Sequence, residues 1–252
     1  MQSTPSLRRR LLAEFLGSLL LAAVVVGSGI AAQRLSPGQP GLELLENAAA
    51  TAAGLYVLIL TLAPISGAHF NPLVSAVAAR LDLLARGDAP FYVAAQLAGC
   101  VAGAALANTM FGSALISISA HHRAAAPHLL AEVVASAGLV LVIFGLIRAG
   151  RAANVPAAVA AYIASAYFFT SSTSFANPAI TAGRVFSNSF AGIAPSSVAA
   201  FMVAQSIGAG LGLICVQLLH PKSIVTENHP HEHSPLRLPS ERRTLADEPG
   251  AL

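Results

Sequence analysis

Two Asn-Pro pairs, Asn71-Pro72 and Asn177-Pro178, constrain this chain more than any other feature. They lie 106 positions apart, each inside a run of apolar and small residues. Asn is a favoured helix N-cap, because its side-chain oxygen accepts from the free N–H groups of the first turn. Pro suits the first helical position, where its missing N–H loses no bond. Each pair therefore predicts the start of a helix. The runs that follow are short: Leu73 to Ala79 before Arg80, and Ala179 to Phe186 before Ser187-Asn188-Ser189. At 1.5 Å per residue, about nine residues cover ~14 Å, roughly half of a ~30 Å hydrocarbon core. One half-helix in each half of the chain predicts a pore and not a catalytic cleft.

The setting of those pairs is a membrane. Of 252 residues, 55% are hydrophobic and 10% charged, against about 25% charged in soluble domains. Spanning helices are expected at 11–32, 44–63, 89–110, 129–149, 154–171 and 196–219. The half-helices fall between the second and third of these and between the fifth and sixth. The first run follows Arg8-Arg9-Arg10. It reads as a retained span and not a cleaved leader, because about 22 apolar residues is long for a leader and Glu14 interrupts the start.

A net charge of +3 gives no argument for nucleic acid as a partner. Cys100 and Cys215 sit in apolar runs and read as packing residues, so no metal or cofactor is expected. The expected organisation is a cytoplasmic segment 1–10, a channel domain 11–219 and a disordered cytoplasmic tail 220–252. Within the tail, His229-Pro230-His231-Glu232-His233 reads as low-complexity polar sequence and not as a metal site.

The channel domain repeats, about 11–110 and again 129–219. Ala13-Glu14 opens the first span and Ala131-Glu132 the fourth. Ala95-Gln96-Leu97-Ala98-Gly99 with Gly103 matches Ala204-Gln205-Ser206-Ile207-Gly208 with Gly212 at a constant offset of 109. Three spans per copy start the second copy from the opposite side of the membrane. The repeat is thus inverted, with its pseudo-two-fold axis in the membrane plane. Two half-helices entering from opposite faces would meet N-terminus to N-terminus. With the N-terminus inside, eleven Lys and Arg fall on the cytoplasmic side against three outside, Arg34, Arg123 and Arg184.

Glu14 and Glu132 are repeat-equivalent carboxylates inside predicted spans. One reading makes them a proton or cation relay. The preferred one makes each an acceptor for backbone N–H groups of the irregular segment leading into a half-helix, since lipid offers none. Asn71 and Asn177, at the facing positive ends of the half-helices, would present amide donors to the lumen and oppose cations.

These motifs resemble the major intrinsic protein family, the aquaporins and aquaglyceroporins. Ser66-Gly67-Ala68-His69-Phe70-Asn71-Pro72 is similar to that family's first signature, and Asn177-Pro178-Ala179 to its second. Glu14, Glu132, Gln96 and Gln205 also sit where the family places them. The resemblance covers roughly residues 10–219. It implies an all-α membrane fold of six transmembrane helices and two re-entrant half-helices, assembled as a homotetramer of independent pores. His69, within the first signature, reads as a loop-packing residue that could also contact the lumen.

Two departures bear on selectivity. Leu73 stands where the family's first triplet has Ala, and Ile180 replaces the Arg that usually follows the second triplet. That Arg belongs to the outer constriction. Counting back from the two Asn residues without gaps puts the other constriction positions at Thr51, Ser165 and Ser174. Such a constriction would be wider and less charged than a water-selective one. Arg184, four residues after Ile180 on the same helix face, either replaces the missing charge or snorkels near the outer helix end. The run from Ser174 to Arg184, followed by Phe190-Ala191-Gly192-Ile193, is similar to a bacterial branch linked to arsenic resistance.

The expected function is passive conduction of small neutral solutes in a bacterial inner membrane: water, glycerol-like polyols and, on the branch resemblance, arsenite or methylated arsenicals. An ion-coupled secondary transporter shares inverted repeats and broken helices but needs a titratable group at its site. Enzyme chemistry is not expected, since the spans carry no Ser/His/Asp or Cys/His constellation.

Overall fold

The computed structural model describes residues 5–221. The tail read as residues 220–252, with its His229–His233 motif, lies outside the described residues from 222 onward.

Eight α-helices form among the described residues, and their order repeats. α1 (Leu7–Leu35), α2 (Pro40–Ser66), the short α3 (Pro72–Arg80) and α4 (Ala89–Met110) make the first copy. α5 (Ala126–Arg148), α6 (Val155–Phe169), the short α7 (Pro178–Gly183) and α8 (Pro195–Leu219) make the second. Six of them are long and apolar enough to cross a membrane, α6 together with the 3₁₀ turn Ala152–Asn154 that leads into it. The expected spans recur within a few residues at each end. α2 runs past Pro64, which does not break it, to a left-handed cap at Gly67.

Within each copy the first and last helices pack tightly through glycines. A Cβ on Gly99 or Gly103 would meet the carbonyls of Phe15 or Leu19 on α1. A Cβ on Gly208 or Gly212 would meet the carbonyls of Val133 or Ala137 on α5. Backbone approach this close is how membrane helices gain dispersion energy without a hydrophobic drive between them. α2 and α6 join the two copies, and each half-helix packs on the last helix of both copies.

The half-helices begin as the Asn-Pro pairs predict. Asn71 and Asn177 are extended N-caps, and their Oδ1 atoms accept from Leu73 N and Ala179 N, each at 2.9 Å. α7 tightens after Gly183 into a 3₁₀ turn, Arg184–Phe186. Gly183 lies against the carbonyl of Cys100, so α7 is seated directly on α4.

Candidate functional site

The turns entering the two half-helices are copies of one another. Left-handed backbone occurs at Gly67, Ala68 and Phe70 in the first, and at Thr173, Ser174 and Ala176 in the second. Non-glycine residues hold that conformation only when their surroundings over-determine it. Here the buried carboxylates do so. Glu14 accepts from Ser66 Oγ (2.6 Å), His69 N (2.9 Å), Phe70 N (2.8 Å) and Gln96 Nε2 (2.8 Å). Glu132 accepts from Ser172 Oγ (2.6 Å), Phe175 N (2.9 Å), Ala176 N (2.8 Å) and Gln205 Nε2 (2.6 Å). Each carboxylate thus holds four donors while fully buried. Drawing the N–H groups to the carboxylate frees the carbonyls on the other side of the turn.

The two half-helices meet at their starts. Asn71 Nδ2 donates to Ala176 O and Asn177 Nδ2 donates to Phe70 O, both at 2.8 Å. Each amide carries two N–H donors, so one stays available beside the cavity that both Asn residues line. Pro72 and Pro178 hold the first helical positions behind them.

That cavity has a volume of about 310 Å³. One end is apolar, with Val74 of α3, Leu139, Ile143 and Phe144 of α5 and Val159 of α6 among its walls. A strip from the two turns, Gly67–Asn71 and Ser174–Asn177, crosses it. His69 lies in this strip; its Nδ1 is 3.0 Å from Ser75 Oγ, and its ring packs 5.4 Å from Tyr92. At the far end Thr51, Tyr167, Ser174, Ile180 and Arg184 line the space.

Four of the five residues assigned to the outer constriction therefore come together: Thr51, Ser174, Ile180 and Arg184. Ser165 does not join them. It is exposed on the opposite face of α6, and its hydroxyl donates to Tyr162 O (2.8 Å). Val155, Val159, Ile163 and Tyr167 recur every four residues on the cavity face, and Ser165 lies two residues out of phase with them. Tyr167 takes the place, its hydroxyl 3.1 Å from that of Thr51. The i, i+4 stripe was the available signal.

Arg123, read from sequence only as an outer-loop charge, is a second residue missed. Its Nε donates to Gly192 O (2.8 Å) and its Nη2 to Phe190 O (2.9 Å), so it ties the connection before α5 to the segment before α8.

The comparisons agree with this geometry. The model of the family described as major intrinsic protein matches residues 1–174, more than half of the chain. Aquaglyceroporin AqpS of Rhizobium meliloti (strain 1021) is 46% identical over 226 residues, 89% of this chain and 96% of that protein. The chain belongs to the major intrinsic protein family. A glycerol uptake facilitator protein of Pseudomonas aeruginosa is 38% identical over 114 residues, 45% of this chain and 39% of that relative. Among solved structures, the aquaglyceroporin from Plasmodium falciparum shares the fold at a TM-score of 0.65 and 20% identity, over 84% of this chain and 96% of that one. The family fold of six long helices and two half-helices is the one observed, and the protein is a multi-pass membrane protein.

Proposed function

We propose that the chain is a passive channel for small neutral solutes, water and glycerol-like polyols, conducted past Asn71 and Asn177. The observation that carries this reading is the cavity itself. One wall is apolar, and against it runs a strip of backbone and amide groups that can replace a solute's hydration. A polyol has the matching character, a carbon face and a hydroxyl face. Undissociated arsenite or methylated arsenicals belong to the same size and charge class, and burying a neutral solute avoids the cost of desolvating an ion.

Asn71 and Asn177 would act as donors at the midplane, with Pro72 and Pro178 fixing the half-helix starts whose positive ends oppose cations. Thr51, Tyr167, Ser174 and Ile180 would set the outer width. Glu14 and Glu132 would support the turns, without any catalytic step. The positive-inside distribution supports cytoplasmic termini in a bacterial inner membrane, and the family resemblance supports a homotetramer.

Against an ion-coupled transporter stands the saturation of both carboxylates by four donors each. Neither offers a free oxygen to a coupling ion. The test is osmotic shock of proteoliposomes with glycerol outside. Re-swelling should be fast and indifferent to uncouplers, whereas entry at the rate of bare lipid would overturn the proposal.

A further inference from the structure

The last turn of the second half-helix carries a guanidinium that no structural role uses up. Arg184 follows Ile180 by four residues, so both face the cavity. Its side chain is 2% exposed, yet no carboxylate pairs with it; the ion pairs among the described residues are Arg10–Asp88 and Arg86–Asp82. Nε donates to Ala191 O. The guanidinium carbon lies 3.4 Å from the centroid of Phe175, a cation–π stack. Its two Nη groups have no acceptor among the described residues. Ser174, also lining the cavity, has a buried Oγ without a hydrogen-bond partner.

Arg123 supplies the contrast. It lies on the same Phe175 ring, at 5.3 Å, but its Nε and Nη2 donate to the carbonyls of Gly192 and Phe190. Those carbonyls flank Ala191, whose own carbonyl receives Arg184. Arg123 is built like a brace. Arg184 is built like a ligand-facing group: stacked on one side, anchored by one donor, and left open at its fork. An unpaired buried cation is costly to keep unless something offsets it. The first copy has no counterpart, since the equivalent cavity position is Ala78. Arg184 is thus the one permanently charged side chain among the residues lining the cavity.

We infer that Arg184, with Ser174 beside it, is a specificity-determining donor site for neutral, oxygen-bearing solutes and the barrier to cations at this end. It would stand in for the charge absent at Ile180, with Arg123 and Phe175 as its positioning residues. The inference rests on the channel reading above. The fork matches two lone-pair oxygens of one solute, as adjacent hydroxyls of a polyol provide. Setting the charge one turn beyond Ile180 keeps the cation barrier and leaves the apolar Ile180 position free for a solute's carbon face.

The test compares Arg184→Gln and Arg184→Lys with the unsubstituted protein in proteoliposomes. Three fluxes are measured: glycerol, water, and methylammonium or protons as the cation. Arg184→Gln should raise cation leak about tenfold or more while glycerol still passes. Arg184→Lys should stay tight to cations, yet lower the glycerol-to-water ratio about threefold, because an ammonium lacks the planar fork. Arg123→Gln should give an intermediate leak. A cation-tight Arg184→Gln channel with an unchanged glycerol-to-water ratio overturns the inference. If Arg184→Gln does not assemble, Arg184→Lys decides alone, and an unchanged ratio overturns it. Failure of the unsubstituted protein to pass glycerol would instead remove the channel reading.

Discussion

His69 and Phe175 occupy the same place in the two turns, and they are where the symmetry of the repeats breaks. His69 bonds Ser75 through Nδ1 and packs on Tyr92, whose hydroxyl donates to Ser66 O at 3.0 Å. Phe175 packs edge-on to Phe201 at 5.2 Å and carries two guanidiniums on its ring. The backbone between them is the same on both sides. One frame thus carries an imidazole beside hydroxyl groups in its first turn and an aromatic ring under two guanidiniums in its second.

The carboxylates under the two turns give the first prediction. Glu132→Gln would put an amide nitrogen against two of the four donors that the carboxylate now holds. Two orphaned donors cost about 2–6 kcal/mol together, at 1–3 kcal/mol each. Glu14→Gln should cost the same, since its set of donors is equivalent. Both variants should melt well below the unsubstituted protein in detergent. A proton relay would behave otherwise, leaving a folded protein with altered pH dependence of flux.

Much of this frame is written in the sequence because it rests on local chemistry. Asn-Pro can cap a helix from its own two residues, and a lone carboxylate in an apolar run must find donors. Both lessons could be drawn from Asn71, Asn177, Glu14 and Glu132 without coordinates. What stayed hidden depends on helix rotation and on loops crossing in space. Ser165 and Tyr167 are two residues apart on α6, and only the phase of the helix decides which faces the cavity. Arg123 reaches the site because Ser117 N and Ser119 N bond Phe186 O and Val185 O, drawing the long connection alongside residues 185–194. No spacing rule encodes that crossing.

Glycines on the packing faces give a second prediction, with a control inside the same helix. Gly103→Ala and Gly212→Ala would drive a methyl into the carbonyls of Leu19 and Ala137, costing about 1–3 kcal/mol each as overpacking. Gly210 meets nothing within 4 Å, so Gly210→Ala should be neutral or stabilising by roughly 0.5–1 kcal/mol through helix propensity. Thermal unfolding in one detergent would rank the three. Equal effects at Gly210 and Gly212 would remove the packing argument.

Ile180 gives a third. It is buried on the cavity wall one turn before Arg184. Ile180→Arg would bring a second guanidinium into the same cross-section, narrowing it and adding repulsion between like charges. Glycerol and arsenite fluxes should fall more than water flux in a paired vesicle assay. Equal suppression of all three would mean that Ile180 does not set the width.

The last prediction separates the residue that counting chose from the one α6 presents. Ser165→Ala removes a hydroxyl that only bonds its own helix at Tyr162 O, so permeability should not change and stability should move by less than about 0.5 kcal/mol. Tyr167→Phe keeps the ring but removes the 3.1 Å hydroxyl pair with Thr51, a buried bond worth about 1 kcal/mol, and frees Thr51 to face solutes. Tyr167→Ala goes further, deleting a side chain that is almost fully buried at the cavity wall. It should raise the entry rate of longer polyols such as ribitol relative to glycerol, at a stability cost of about 3–5 kcal/mol. Re-swelling rates across a polyol series read out both effects. An unchanged ribitol-to-glycerol ratio in Tyr167→Ala, with Ser165→Ala altering flux, would restore Ser165 to the constriction.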